Sequence, residues 1–194
     1  MARRHILFLI FIVLFTLSAC APYTFRGMAI EPSKPAPDFT LTDQSGQPFT
    51  LSAQKGSVVL LFFGFTACPD VCPTTLADIA AAKAQLGSTG ENIKVVLISV
   101  DPERDTPTNI GDYVDNYDPT FIGLAGTAEQ LAPVWKSYGV TANRRELPNS
   151  KLGYTIDHSA YIYLIDKAGN WRAILPFGVS ADDIASDAGH LVNT

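Results

Sequence analysis

The sequence predicts an α/β fold built around a sheet that is covered on both faces. Two apolar runs, residues 57–65 and 93–100, carry almost no charge, as expected of strands that are buried from both sides. Each run is followed by a segment with the features of a helix, and further strands and helices come after them. This order along the chain is typical of α/β proteins.

The first elements are a hairpin, a buried strand and a helix. Residues 39–42 and 48–51 alternate apolar and polar side chains around a turn-forming cluster, a pattern that indicates a β-hairpin. The buried strand 57–65 comes next. A helix is expected over residues 69–86, because alanines recur along it and a glycine follows as a stop.

The second half continues the alternation. Thr106 and Pro107 are typical of a helix cap and first helical residue, so a helix is expected to about residue 117. Residues 143–157 are polar and show no periodicity, which predicts a long loop. The other expected elements are a strand, a helix, two strands and a terminal helix, at residues 121–124, 127–138, 161–165, 171–175 and 181–192. This layout is thioredoxin-like, with an N-terminal β-hairpin and a long loop before the strand that His158 precedes.

The N-terminus has the pattern of a targeting signal. Arg3 and Arg4 precede an apolar run over residues 6–17, which is shorter than the roughly 20 residues of a spanning helix. Leu17-Ser18-Ala19-Cys20 resembles the lipobox of bacterial lipoproteins. That resemblance implies a signal peptide over residues 1–19, a lipidated Cys20, and a membrane-anchored protein of the bacterial cell envelope that faces the periplasm or another extracytoplasmic space.

The remaining chain is expected to form a tether and one domain. Residues 20–37 contain several prolines and are interpreted as an extended tether, and residues 38–194 as the domain. The net charge of −5 argues against a nucleic-acid partner, which requires clustered basic residues. It also gives no attraction to an anionic bilayer, so lipid would provide the membrane contact.

Two cysteines at the start of the first helix are the main candidates for chemistry. Cys68 and Cys72 follow the first buried strand, and Cys68 is expected near the helix cap with Cys72 one turn later. One helical turn separates Cα atoms by roughly 6 Å, which a disulfide tolerates. The positive end of the helix favours thiolates. The pair is therefore compatible with redox exchange and with a soft metal ion, copper(I) or zinc.

His158 is the candidate for a third ligand. It ends the long polar stretch and directly precedes a strand, and in this fold the loop before that strand faces the cysteines. Asp70, between the cysteines, is a candidate to interact with the site or tune its charge. Asp157 is a candidate to orient the His158 ring from outside the ligand set.

Three sequence motifs resemble those of the Sco/SenC copper-chaperone family. They are residues 62–76 (FFGFTACPDVCPTTL), residues 100–107 (VDPERDTP), and Asp157-His158-Ser159 with the strand that follows. The resemblance implies that Cys68, Cys72 and His158 bind copper, as Cu(I), Cu(II) or both. It also implies assembly of the dinuclear copper centre of cytochrome c oxidase subunit II. Expected partners are that subunit or another cuproprotein, a further periplasmic copper chaperone, and a thioredoxin-like reductant.

Two enzymatic alternatives remain open from the sequence. Cys68 and Cys72 are also the redox-active pair expected of a membrane-tethered thiol–disulfide reductase that acts on the cysteines of the oxidase subunit. Thr66 shortly before Cys68 resembles the Thr and Cys of peroxiredoxin-like peroxidases, although the proline expected upstream is replaced by Phe62. The imidazole of His158 discriminates between the copper chaperone and the reductase, because disulfide exchange needs only the thiols.

Overall fold

The computed structural model describes residues 22–194, which form ten strands and four α-helices. The signal peptide and the lipidation site at Cys20, both expected from the sequence, lie outside the described residues. The strands are β1 Met28–Pro35, β2 Thr40–Asp43, β3 Pro48–Thr50, β4 Val58–Gly64, β5 Ile93–Ser99, β6 Ile122–Ala125, β7 Ala142–Leu147, β8 Gly153–His158, β9 Tyr161–Ile165 and β10 Asn170–Pro176. The helices are α1 Val71–Gln85, α2 Pro107–Asp115, α3 Ala128–Ser137 and α4 Ala181–Asn193.

Eight strands form one mixed sheet in the order β1-β10-β9-β4-β5-β6-β2-β3. The central strands β4, β5 and β6 are parallel, while β9 pairs with β4 in the antiparallel sense. Every residue of β4 is buried, which agrees with the continuous apolar run in the sequence. Burial of one Leu or Phe side chain contributes about 1.5–3 kcal/mol, so this strand anchors the core.

The helices cover the sheet. This arrangement agrees with the expected thioredoxin-like α/β class. Helices α1 and α4 pack against each other, and α2 packs against β6. Thr106 begins α2 with a reciprocal capping box, as the sequence predicts. Among residues 22–194, none of the helices combines the length and the apolar character that a membrane crossing requires.

The segment assigned to a tether is largely part of the domain. Strand β1 pairs with β10 and forms one edge of the main sheet, with a register shift between Ala29 and Lys34. Prolines are tolerated at such an edge because one side of the strand needs no ladder hydrogen bonds. The chain before β1 is also fixed, because the buried Asp187 of α4 accepts hydrogen bonds from Tyr23 and from two backbone N–H groups. The domain therefore begins well before residue 38.

The expected long loop over residues 143–157 is instead a second, two-stranded sheet. Strands β7 and β8 pair in the antiparallel sense, with Ala142 opposite His158 and Leu147 opposite Gly153. Four consecutive residues of β7, 143–146, are exposed and polar, so the strand lacks the alternation that would reveal it in the sequence. His158 is the last residue of β8 and stands before β9, as expected.

Candidate metal site

The first part of the site is the connection from β4 to α1. The helix begins at Val71 with Asp70 as its cap residue, two residues later than the sequence predicts. The side chain of Asp70 makes no capping hydrogen bond. Instead, the backbone N–H of Cys72 donates to Sγ of Cys68 at 3.3 Å. The sulfur of Cys68 thus partly fulfils the role of a cap for one free N–H group at the helix start.

The two cysteines differ in burial. Cys72, in the first turn of α1, is fully buried, whereas Cys68 is half-buried and lines a surface cavity of about 260 Å³ together with His158. Gly64, at the end of β4, lies directly below Cys72, and a Cβ atom added there would be 2.9 Å from its sulfur. Because Gly64 has no side chain, it leaves the space that the buried thiol of Cys72 occupies.

The environment separates the acidities of the two thiols. A hydrogen bond from the Cys72 thiol, opposed by partial burial, lowers the pKa of Cys68 to about 4, and contacts with His158 and backbone N–H groups add to this effect. The same hydrogen bond, followed by burial and the negative charge on Cys68, raises the pKa of Cys72. Without a metal, Cys68 is therefore the thiolate and Cys72 holds the shared proton.

The imidazole of His158 is directed at the thiol pair. Its Nε2 lies 3.7 Å from Sγ of Cys72, and its Nδ1 lies 3.0 Å from the carbonyl oxygen of Ser159. An Nδ1–H group that donates to this carbonyl leaves the lone pair of Nε2 facing the sulfur atoms. The ring also packs edge-on against Phe65, with centroids 5.7 Å apart.

The structure brings the three ligands expected from the sequence into one cluster. The Sγ atoms of Cys68 and Cys72 and a ring nitrogen of His158 all lie within 4.8 Å of one another. Metal bonds of about 2.0–2.3 Å in a trigonal arrangement would separate such donors by about 3.5–4.0 Å. Two sulfurs and one imidazole form a donor set that suits copper or zinc.

The two aspartates expected near the site have different positions. Asp70 is exposed and lines the same cavity as Cys68 and His158. The expectation that Asp157 orients the imidazole is corrected, because its carboxylate binds Arg145 at 2.7 and 3.0 Å. This hydrogen-bonded pairing lowers the pKa of Asp157. The imidazole takes the Ser159 carbonyl as its partner instead.

A loop after β5 supports the cysteine side and was not recognised as part of the site. The buried carboxylate of Asp105 accepts hydrogen bonds from Oγ of Ser99 and Oγ1 of Thr66, both at 2.6 Å. Burial raises the pKa of Asp105, partly offset by these hydrogen bonds. Thr66 stands two residues before Cys68, so Asp105 holds in place the segment of chain that leads to the thiol pair. The motif over residues 100–107 signalled this loop, but its contacts are visible only in the fold.

Comparisons with known proteins agree with this geometry. The family model described as SCO1/SenC matches residues 28–193. The chain is 39% identical over 146 residues to an SCO2-like protein of Rickettsia prowazekii, across 75% of this chain and 71% of that protein. The structure of Bradyrhizobium japonicum ScoI with copper bound is 37% identical, with a TM-score of 0.73 over 81% of this chain and 99% of that one.

A plant structure gives the same result. Arabidopsis thaliana ScoI with copper bound is 33% identical, with a TM-score of 0.75 over 82% of this chain and 99% of that chain. The family match covers almost all of the described residues, including both cysteines of the cluster and the histidine. The chain belongs to the SCO1/SenC family.

Proposed function

We propose that this protein binds copper through the sulfurs of Cys68 and Cys72 and Nε2 of His158, and that it transfers the metal to another protein. The observation that carries the proposal is the meeting of these three donors within 4.8 Å. Thiolates favour Cu(I), and imidazole suits Cu(I) and Cu(II) alike. The copper-bound structures of two relatives, at 37% and 33% identity, support the choice of metal.

The uneven burial of the donors suits transfer. Cys72 is fully buried, whereas Cys68 and His158 border an open cavity. An incoming ligand can therefore approach the metal from the side of Cys68 and His158 and replace these donors one at a time. Binding of copper requires that Cys72 lose its proton, so loading should release protons to the solvent.

The recipient we propose is subunit II of cytochrome c oxidase, where the copper would enter the dinuclear centre. This assignment rests on the resemblance of the three motifs and on membership of the family. We further propose that lipid on Cys20 holds the protein at the membrane surface in the cell envelope. Another periplasmic copper chaperone would supply the metal, and a thioredoxin-like reductant would keep the two thiols reduced.

A copper titration with single-residue variants tests the site. The full-length protein, purified in mild detergent and carrying Cys20→Ser, has Cys68 and Cys72 as its only thiols. Reduced protein should bind one copper ion and show a sulfur-to-Cu(II) charge-transfer band. Cys68→Ser, Cys72→Ser and His158→Ala should each lose that band.

His190→Ala is the matched control, because His190 lies on α4, stacks on Tyr23 from the N-terminal segment, and takes no part in the cluster. The control should retain both the band and the affinity. Retention of full Cu(II) affinity by His158→Ala would contradict the three-ligand site.

A second candidate function is reduction of a partner's disulfide. The observation that favours it is the contrast between Cys68, a thiolate at neutral pH, and Cys72, a buried thiol beside it. The Cys68 thiolate would attack one sulfur of the partner disulfide and release the other as a thiolate. Cys72 would then attack Cys68, forming their disulfide, freeing the second partner thiolate and giving up its proton.

Disulfide exchange with a peptide that carries the two cysteines of a dinuclear copper centre tests the second function. A reductase should exchange with rates that are unchanged in His158→Ala. A copper carrier alone should lose metal binding in this variant and reduce the peptide no faster than a small dithiol.

A further inference from the structure

The strand pair that carries His158 is not hydrogen-bonded to the main sheet. Strands β7 and β8 form their own two-stranded sheet within the described chain. His158 is the last residue of β8, so the position of its imidazole depends on how this hairpin is attached. The two-residue link from His158 to β9 restrains the end of the hairpin, and side-chain contacts restrain the rest of it.

The ring of Tyr154 attaches the hairpin to the core, beside the buried Ile156 of the same strand. Cζ of Arg104 and Cζ of Arg144 each lie 3.7 Å from the ring centroid. Two guanidinium groups cannot occupy the same place, so the ring lies between them, with one cation on each face. The hydroxyl of Tyr154 donates to the buried carboxylate of Asp101 at 2.8 Å. The side chain of Tyr154 is nine-tenths buried, and Tyr154 lies four residues before His158 on β8.

The loop of residues 101–105 also holds the backbone of the hairpin. Nη1 of Arg104 donates to the carbonyl oxygens of Tyr154 at 3.2 Å and Leu152 at 3.4 Å, and its Nε donates to Asp101. On the exposed side, Arg144 binds Glu103 of the same loop. One short loop therefore holds the tyrosine ring, the tyrosine hydroxyl and the strand that carries them.

The same loop holds the other half of the site. Asp105 accepts hydrogen bonds from the hydroxyl and backbone N–H of Thr66, at 2.6 and 3.3 Å. Thr66 belongs to the chain that leads from β4 to Cys68. Residues 101–105 thus connect the cysteine side to the histidine side through contacts that touch none of the three donors.

We propose that Tyr154 is a positioning residue for metal binding, held by Arg104 and Asp101. Its contacts set the distance between the imidazole of His158 and the thiol pair. The loop of residues 101–105 then holds the segment that leads to Cys68 and the hairpin that carries His158 in the relative position that the three-donor site requires. This inference rests on the proposed function, because it explains how that copper site is kept assembled.

Two substitutions separate the contributions of the tyrosine. Tyr154→Phe keeps the ring between the guanidinium groups and removes only the hydroxyl. Tyr154→Leu removes both. The full-length Cys20→Ser protein in detergent is titrated with Cu(II), and the charge-transfer band and the affinity are measured together with the iodoacetamide reactivity of Cys68.

Tyr154→Leu should weaken Cu(II) binding by about 10–100-fold, as substitutions beside metal ligands do. Tyr154→Phe should lose less. The reactivity of Cys68 should stay within about twofold in both, because the largest contribution to its lowered pKa is the hydrogen bond from Cys72, which does not involve the hairpin. The double variant Tyr154→Leu with His158→Ala should bind no more weakly than His158→Ala alone, since both changes act through the imidazole.

Tyr23→Leu is the matched control. Tyr23 also donates its hydroxyl to a buried aspartate, Asp187, and also stacks on a nitrogen-bearing group, the His190 ring. It therefore reproduces a general loss of stability without touching the hairpin, and its Cu(II) affinity should equal that of the parent protein. If Tyr154→Leu proves too unstable to titrate, Tyr154→Phe decides, with a smaller loss of affinity expected in the same direction.

Wild-type Cu(II) affinity in the folded Tyr154 variants would overturn the positioning role while leaving the copper site intact. Losses that add in the double variant would overturn it as well, because they would place the effect outside His158. If His158→Ala itself binds Cu(II) as the parent does, the proposed three-ligand site fails, and the positioning role fails with it.

Discussion

Gly64→Ala is the substitution whose consequence can be worked out most directly from the structure. A methyl group at this position would lie 2.9 Å from Sγ of Cys72 and 3.1 Å from atoms of both Leu97 and Phe62. Favourable contacts between heavy atoms are roughly 3.5–4.0 Å long, so the sulfur would have to move by about 0.6–1.1 Å. Cys72 is completely buried, so this movement has to be taken up within the core or towards the metal site.

The expected cost has two parts. Overpacking of a core by one methyl group lowers the free energy of unfolding by about 1–3 kcal/mol. Displacement of the sulfur also changes its 3.7 Å separation from Nε2 of His158. Since two donors of the site are then misplaced relative to each other, Cu(II) affinity should fall by about 10–100-fold.

The assay compares two crowded glycines. Gly123→Ala is the control, because Gly123 lies on β6, two strands from β4, and its methyl group would lie 3.0 Å from two atoms of Ile110 and not against a thiol. Urea unfolding of the reduced protein should show similar losses of stability for both variants, and a copper titration should show a loss of affinity for Gly64→Ala alone. Equal copper affinities of the two variants would refute the reasoning that links Gly64 to the position of Cys72.

Three other predictions concern titration and stability. Because the pKa of Cys68 is lowered to about 4, its alkylation by iodoacetamide should be nearly independent of pH between 5.5 and 8, with Cys72 unmodified; a rate that rises tenfold per pH unit would contradict this. Asp187→Ala leaves the Tyr23 hydroxyl and two part-buried backbone N–H groups without this acceptor and should lower the free energy of unfolding by about 1–3 kcal/mol, with faster tryptic cleavage after Arg26. Burial raises the pKa of Asp105, so this carboxyl group favours folding when protonated, and that contribution is lost as the pH rises through its folded pKa. Urea unfolding of Asp105→Asn should therefore depend less on pH between 4.5 and 7 than that of the parent protein.

The elements predicted well from the sequence are those whose signals are local. The fully buried strand β4 appears as an unbroken apolar run, and the start of α2 appears as a threonine followed by a proline. Strand β1 was missed because its prolines indicate an open chain. They are compatible with a strand only at a sheet edge, and edge position is a property of the whole fold.

The site shows the same division. The spacing of Cys68 and Cys72 is visible in the sequence, and the place of His158 before a strand follows from the order of elements. Asp157 was assigned the wrong partner because neighbouring residues of a strand point to opposite faces. Asp157 therefore shares a face with Arg145, diagonally across the β7–β8 ladder, while His158 faces the thiols.

Oxidation and copper binding should exclude each other at this site for a geometric reason. A disulfide requires the two sulfurs to approach to about 2.05 Å, and both sulfurs are then lost as thiolate ligands. The imidazole would remain in place, because the contacts of Tyr154 with Arg104 and Asp101 involve neither cysteine. Reduction of one bond would therefore restore the complete donor set without rearrangement of the hairpin, so copper loading can follow reduction directly.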